Sequence, residues 1–143
     1  MGKIREKLLV GVDYGRRHCG VAIKLSGQDQ VRPDRTIDAI ELTRYLGSLA
    51  PDMIILGLPT GADGQETEQT REVMAVYQRL LEELPHVEIV LQDEFATSID
   101  AKQLLTKREQ RLPIPRQKDL LHSYSATLIL RDYLISLREQ DQA

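Results

Sequence analysis

The chain carries 22 aspartates and glutamates, so most are solvated surface groups and only position can single out a few. Asp13 closes the apolar run "KLLVGVD". An acid ending a buried strand is costly if left unpaired and requires a hydrogen-bonding turn, a cation or a metal. Asp93 and Glu94 end a second apolar run, "HVEIVLQDE", in the same way. His122 lies one helical turn before Ala126, at the start of a stripe continued by Ile129 and Tyr133, the spacing of a core-facing helix surface. If Asp13, Glu94 and His122 converge, they can bind one or two divalent metals and activate water for attack on a phosphodiester.

Each residue also has a plain structural reading. Neighbouring arginines or turn NH groups could satisfy Asp13, Asp93 and Glu94 could open a turn and cap a helix, and His122 could be a hydrogen-bonded core residue. His18 and His86 read as surface or turn residues. Two basic segments favour the chemical reading. Arg16 and Arg17 follow Asp13 directly, and Lys107, Arg108, Arg111, Arg116 and Lys118 crowd "KREQRLPIPRQK"; both could hold a phosphate backbone. With a net charge of −3, attraction of a polyanion must come from such local patches. Gly15 and the glycines of "PTGADG" would let a backbone approach closely.

The elements that must position these groups follow from apolar patterning. Residues 7–13 and 19–25 read as two strands of a hairpin, and a weaker strand over Val31 to Ile37 is pushed to a sheet edge by Pro33. Asp38 and Glu41 form a reciprocal capping pattern for a helix over Ala39–Leu49. "DMIILGLP" reads as a strand covered on both faces. Asp63 with Glu66 repeats the capping pattern before a helix whose stripe is Val73, Val76, Tyr77, Leu80, Leu81 and Leu84. "HVEIVLQDE" is another buried strand, and Thr97 with Asp100 caps a helix reaching Lys107. A loop held open by Pro113 and Pro115 leads to a long helix, Asp119–Arg138, facing inward through Ala126, Ile129, Leu130, Tyr133 and Leu137. The order βββαβαβα predicts an α/β fold with a mixed sheet, antiparallel at the start and parallel later. Two acidic strand ends on the carboxyl edge of such a sheet suggest one shared site.

The 143 residues, 41% hydrophobic and 29% charged, fit one domain spanning 1–143. Cys19 is the only cysteine, which excludes an internal disulfide and suits a reducing compartment; it reads as a small buried side chain. "MGKIREKLLVGVD" has only a short apolar run, interrupted by Asp13, and reads as neither signal peptide nor membrane span. A cytoplasmic protein without membrane association is the expectation. A one-domain relative of the sugar-kinase and actin-like ATPases is disfavoured, since those close two such domains around a nucleotide and no Walker pattern occurs.

The motifs taken in order resemble the YqgF/RuvX family, small bacterial proteins of the ribonuclease-H-like, Holliday-junction-resolvase-like fold. "VGVDYGRRHCGVAI" is similar to the family's Asp–aromatic–Gly hairpin and "DMIILGLPTGADGQE" to its Gly-Leu-Pro strand end. "LQDEFATSIDA" resembles its Asp-Glu-Arg–Thr-Thr segment, and "LLHSYSATLILRDYL" its terminal Asp–Ala-rich–Ile-Leu helix. The resemblance implies a metal-dependent nuclease using Mg²⁺ or Mn²⁺, acting in maturation of the small-subunit ribosomal RNA precursor or on branched DNA such as Holliday junctions. It places the catalytic, metal-binding positions at Asp13, Glu94 and His122. His122 departs from the family's acid, which weakens a Mg²⁺ site or shifts preference toward Mn²⁺. Phe95 stands where arginine is common, and His18-Cys19 where arginine and an aliphatic are usual. A catalytically weakened nucleic-acid- or ribosome-binding module of the same fold is the alternative. A junction resolvase would require a homodimer to cut symmetric strands, whereas an RNA-trimming enzyme can act as a monomer.

Overall fold

The computed structural model describes residues 6–94 and 97–142. Five strands form one sheet: β1 (Leu8–Asp13), β2 (His18–Leu25), β3 (Arg32–Asp38), β4 (Met53–Pro59) and β5 (Glu88–Glu94). Their spatial order is β3-β2-β1-β4-β5. The first three strands form an antiparallel meander, and β4 and β5 run parallel to β1. Pro33 lies on an edge strand, as its missing NH demands, beside a bulge at Val21/Ala22. β5 occupies the opposite edge. Only Ile89 in it is fully buried, so the expectation of a buried strand is corrected to a half-covered edge.

Helices cover both faces. On one side α1 (Leu42–Leu49) and α2 (Glu68–Glu83) enclose Val10, Val12, Val21, Ile54, Leu56, Val73 and Leu80. On the other, α4 (Ile114–Gln142) packs Ala126, Ile129 and Leu130 against Ala22 and Ile55. The alternation of Ile54, Ile55 and Leu56 between these two cores explains the uninterrupted apolar run of β4. Two helices, α3 (Thr97–Gln103) and α4, follow β5, so the observed order is βββαβαβαα.

Several helix boundaries differ from the sequence reading. Residues 39–41 form a 3-10 turn before α1, and Asp38 makes no side-chain cap bond. α2 is capped by Thr67 and Thr70 instead of Asp63 and Glu66; the Thr70 NH donates to Thr67 Oγ1 and the Thr67 NH to Thr70 Oγ1. Asp63 sits in a left-handed conformation, φ 68°, which its short polar side chain tolerates. Leu81 is exposed because it points about 80° from Val73 around a 3.6-residue helix. α3 ends at Gln103 instead of Lys107, and the Thr97 side chain lies outside the described residues. α4 begins at Ile114, earlier than Asp119. The Pro113 carbonyl accepts from the Arg116 and Gln117 NH groups, and Pro115 fits the first turn, where its missing donor costs nothing. Leu137 has the right helical direction but is exposed, because α4 is 29 residues long and overshoots a sheet of strands only 6 to 8 residues long. Among the described residues no helix is long and apolar enough to cross a membrane.

Two glycines seat α4 on the sheet. A Cβ at Gly11 would stand 2.7 Å from the Ala126 carbonyl oxygen and 2.9 Å from Leu130 Cβ, and one at Gly20 would be driven into the His122 carbonyl. Helix backbone therefore lies directly on strand backbone.

Candidate active site

That close approach builds the site. Gly20 pairs with Asp13 across β1 and β2, so the helix residue resting on Gly20, His122, stands beside Asp13. His122 Nδ1 is 3.9 Å from Asp13 Oδ2, with the imidazole 36% exposed and the carboxylate 19% exposed. Of the structural alternatives for Asp13, pairing with Arg16 is not observed. The Arg16 guanidinium instead reaches α2: Nε donates to Glu72 Oε1 at 2.7 Å, and Nη2 donates to Glu68 Oε1 at 3.0 Å and to Glu72. The Glu72 hydrogen bond raises the Arg16 pKa further, and the same bond lowers that of Glu72.

Glu94 closes β5 on the same carboxyl edge, in register with Pro59. Gly57 lies in the row beside it, and a Cβ there would meet Glu94 Oε2 at 2.7 Å and Ile129 Cδ1 at 2.5 Å. The absent Gly57 side chain thus leaves the space into which the Glu94 carboxylate turns. The carboxylate and imidazole donors are of the types that hard and borderline divalent ions accept, with water completing the shell. Among the described residues, however, no three His, Cys, Asp or Glu groups approach closely enough to share one ion. The structure brings Asp13 and His122 together and leaves Glu94 farther along the edge. Phe95 lies outside the described residues.

A cleft of about 680 Å³ opens in front of this edge, lined by Tyr14–His18, by Thr67, Glu68, Gln69 and Glu72 of the α2 start, and by His122. Arg17 lines it and forms no ion pair among the described residues. Gly15 does not open the elbow toward a ligand, since the space above it is taken by the His18 carbonyl oxygen, 2.5 Å from where a Cβ would stand.

His18 was legible only as a surface residue, yet its ring centroid lies 6.0 Å from that of His122, and its Nε2 is 3.8 Å from Asp38 Oδ1. The signal was the hairpin itself: a strand pair that matches Asp13 with Gly20 puts His18 at its mouth. Cys19 is fully buried, donates weakly to the Gly15 carbonyl at 3.6 Å, and has its thiol pushed up by burial to about 11. It is inert packing.

The second basic segment is ordered, not held open. Thr106 and Glu109 form a reciprocal cap at 3.0 and 3.1 Å, and the Tyr124 hydroxyl of α4 lies within hydrogen-bonding distance of both Glu109 oxygens, at 2.8 and 2.7 Å, able to donate to one at a time. The Thr106 NH and the Tyr124 hydroxyl hold the Glu109 carboxyl below the usual range. Gln117 Nε2 donates to the Gln110 and Leu112 carbonyls. Lys107, Arg108, Arg111, Arg116 and Lys118 are all exposed from this frame, outside the cleft lining.

A family model described as RuvX, Holliday junction resolvase, matches residues 7–136. A candidate pre-16S rRNA nuclease from Salinibacter ruber is 31% identical, covering 90% of this chain and 93% of its own. One from Colwellia psychrerythraea is 28% identical, covering 91% and 90%. Among solved structures, Thermus thermophilus RuvC in complex with Holliday junction substrate superposes with a TM-score of 0.52 at 14% identity, covering 90% of this chain and 96% of that one. At that identity the likeness is one of fold, the α/β ribonuclease-H-like arrangement expected from the motifs.

Proposed function

The chain belongs to the RuvX family, and on that premise we propose that it is a metal-dependent nuclease that hydrolyses phosphodiester bonds in the precursor of small-subunit ribosomal RNA. The observation that carries the reading is the Asp13–His122 pair, 3.9 Å apart, set where the cleft lined by Arg17 and His122 meets the carboxyl edge of the sheet. The RNA substrate is preferred over branched DNA because the relatives named for rRNA processing match at 28–31% identity over about nine-tenths of the chain, against 14% for the junction-bound RuvC.

Asp13 and His122 would hold Mg²⁺ or Mn²⁺, with water completing the shell and Glu94, farther along the edge, joining through that water. When bound at that edge, a divalent ion would supply charge neutralisation and Lewis-acid polarisation at the phosphodiester. The chain's own groups do the rest. Asp13 is fixed by a central strand, so its carboxylate is presented without reorganisation. The imidazole of His122 lines the cleft beside the Asp13 carboxylate. Arg17 faces the phosphate from the elbow. Lys107, Arg108, Arg111, Arg116 and Lys118 supply positive charge along the flanking backbone, whereas Arg16 contributes only by exchanging its glutamates for phosphate.

A binding module of the same fold with weakened cleavage is the second reading, favoured by His122 in the place of an acid. Cleavage of precursor rRNA and of four-way junctions in Mg²⁺ and in Mn²⁺, comparing the native chain with Asp13→Asn, separates the two. Loss of about 100-fold or more on substitution is expected; equal residual activity in both proteins refutes catalysis by this site.

A further inference from the structure

A cationic groove lies on the same helix, away from the cleft. Its volume is about 270 Å³, and Lys24 of β2, Arg131 and Arg138 of α4, and Asp29 of the β2–β3 turn line it with Leu134 and Ile135. Lys24 shares the α4-facing side of β2 with Gly20 and Ala22, so strand and helix direct their cations to one place. Among the described residues three arginines are neutralised locally: Arg16 by Glu68 and Glu72, Arg35 by Asp34, Arg44 by Glu41. Among the described residues Arg131 and Arg138 form no ion pair, and Asp29 is paired with neither. Three cations against one acid in a chain of net charge −3 make this groove a local reversal of sign, the footprint of a polyanion contact.

We infer that Lys24, Arg131 and Arg138 bind backbone phosphates of a double-helical flank of the nucleic acid whose cleavage point lies in the cleft; the inference rests on the nuclease reading above. Spacing supports it. At 1.5 Å per residue, Arg131 and Arg138 stand about 14 and about 24 Å from His122 along α4, the rise of about five to nine base pairs of an A-form RNA duplex. The helix that places His122 against Asp13 thereby also sets how far a duplex must extend to be gripped at both ends. Such contacts read backbone and not base.

The test is the salt dependence of binding of catalytically silent Asp13→Asn protein to a duplex of about 24 base pairs, with and without Arg131→Gln and Arg138→Gln, folding being monitored by circular dichroism. Each lost phosphate contact lowers the slope of log K against log salt by about 0.9, so the double variant is expected to lose about 1.8 and to bind about tenfold more weakly at low salt. An unchanged slope in the folded double variant overturns this inference and leaves the nuclease reading standing. Absence of binding to any nucleic acid by the parent overturns both.

Discussion

The peptide of His122 rests on Gly20, with the Ser123 nitrogen 2.7 Å from where a Gly20 Cβ would stand. Because Gly20 is the β-sheet partner of Asp13, this one contact sets the separation of the two groups at the candidate site. Gly20→Ala forces α4 off the sheet. Overpacking of this kind costs about 3 kcal/mol or more when the opposing atoms are backbone, and thermal unfolding is expected to register it. Gly64→Ala serves as comparison: nothing lies within 4 Å of that position, although its φ of 71° adds strain of about 1–2 kcal/mol.

His122→Asp restores an oxygen anion beside Asp13. Cleavage supported by Mg²⁺ should rise relative to that supported by Mn²⁺, by about tenfold in the ratio, since imidazole suits the softer ion and carboxylate the harder. His122→Ala should lower activity in both. The rates with the two metals, measured on one substrate, decide it.

Glu72→Gln with Glu68→Gln removes the carboxylates that occupy Arg16. The freed guanidinium then adds a cation to the cleft, so nucleic-acid affinity should rise a few-fold at low salt and the salt slope should steepen by about 0.9. Arg16→Gln in the same background should return the slope to its starting value.

Tyr124→Phe removes the hydroxyl that lies between the two Glu109 oxygens, at a cost of about 1 kcal/mol. Glu109 is held below the usual carboxylate range in the folded protein. Its contribution to stability is therefore complete above the unfolded value of about 4.3 and is lost as pH falls through the folded one. Acid should loosen the basic segment before the sheet, visible as earlier amide exchange around Thr106, and the substitution should shift that onset to higher pH.

The strands were legible because each is a short apolar run bounded by turn residues, and Pro33 marked its own edge. The carboxyl-edge placement of Asp13 and Glu94 followed from the same runs. Helix starts were less legible. Asp38-Glu41 and Asp63-Glu66 fit the capping pattern as well as the pairs that cap, and the choice fell to Thr67 and Thr70 because the Thr70 hydroxyl also reaches the Pro59 carbonyl at 2.5 Å, a contact no local pattern contains. Thr106 and Glu109 carried the same signal inside a charged stretch with two prolines, where Pro115 reads as a breaker although the first helical turn accepts it. The Arg16–Glu72 pair and the nearness of His18 to His122 are long-range, and local spacing cannot encode them.

The seating of α4 has a consequence for when the site exists. In chain order α4 follows every strand, and synthesis delivers about 5–20 residues per second with the amino-terminal part first. Asp13 emerges well before His122, and the glycine-lined face beside it stays bare until the helix arrives. An unfinished nascent chain can thus form the hairpin but not the Asp13–His122 pair, so any cleavage that depends on the pair is withheld during translation and appears only once α4 docks.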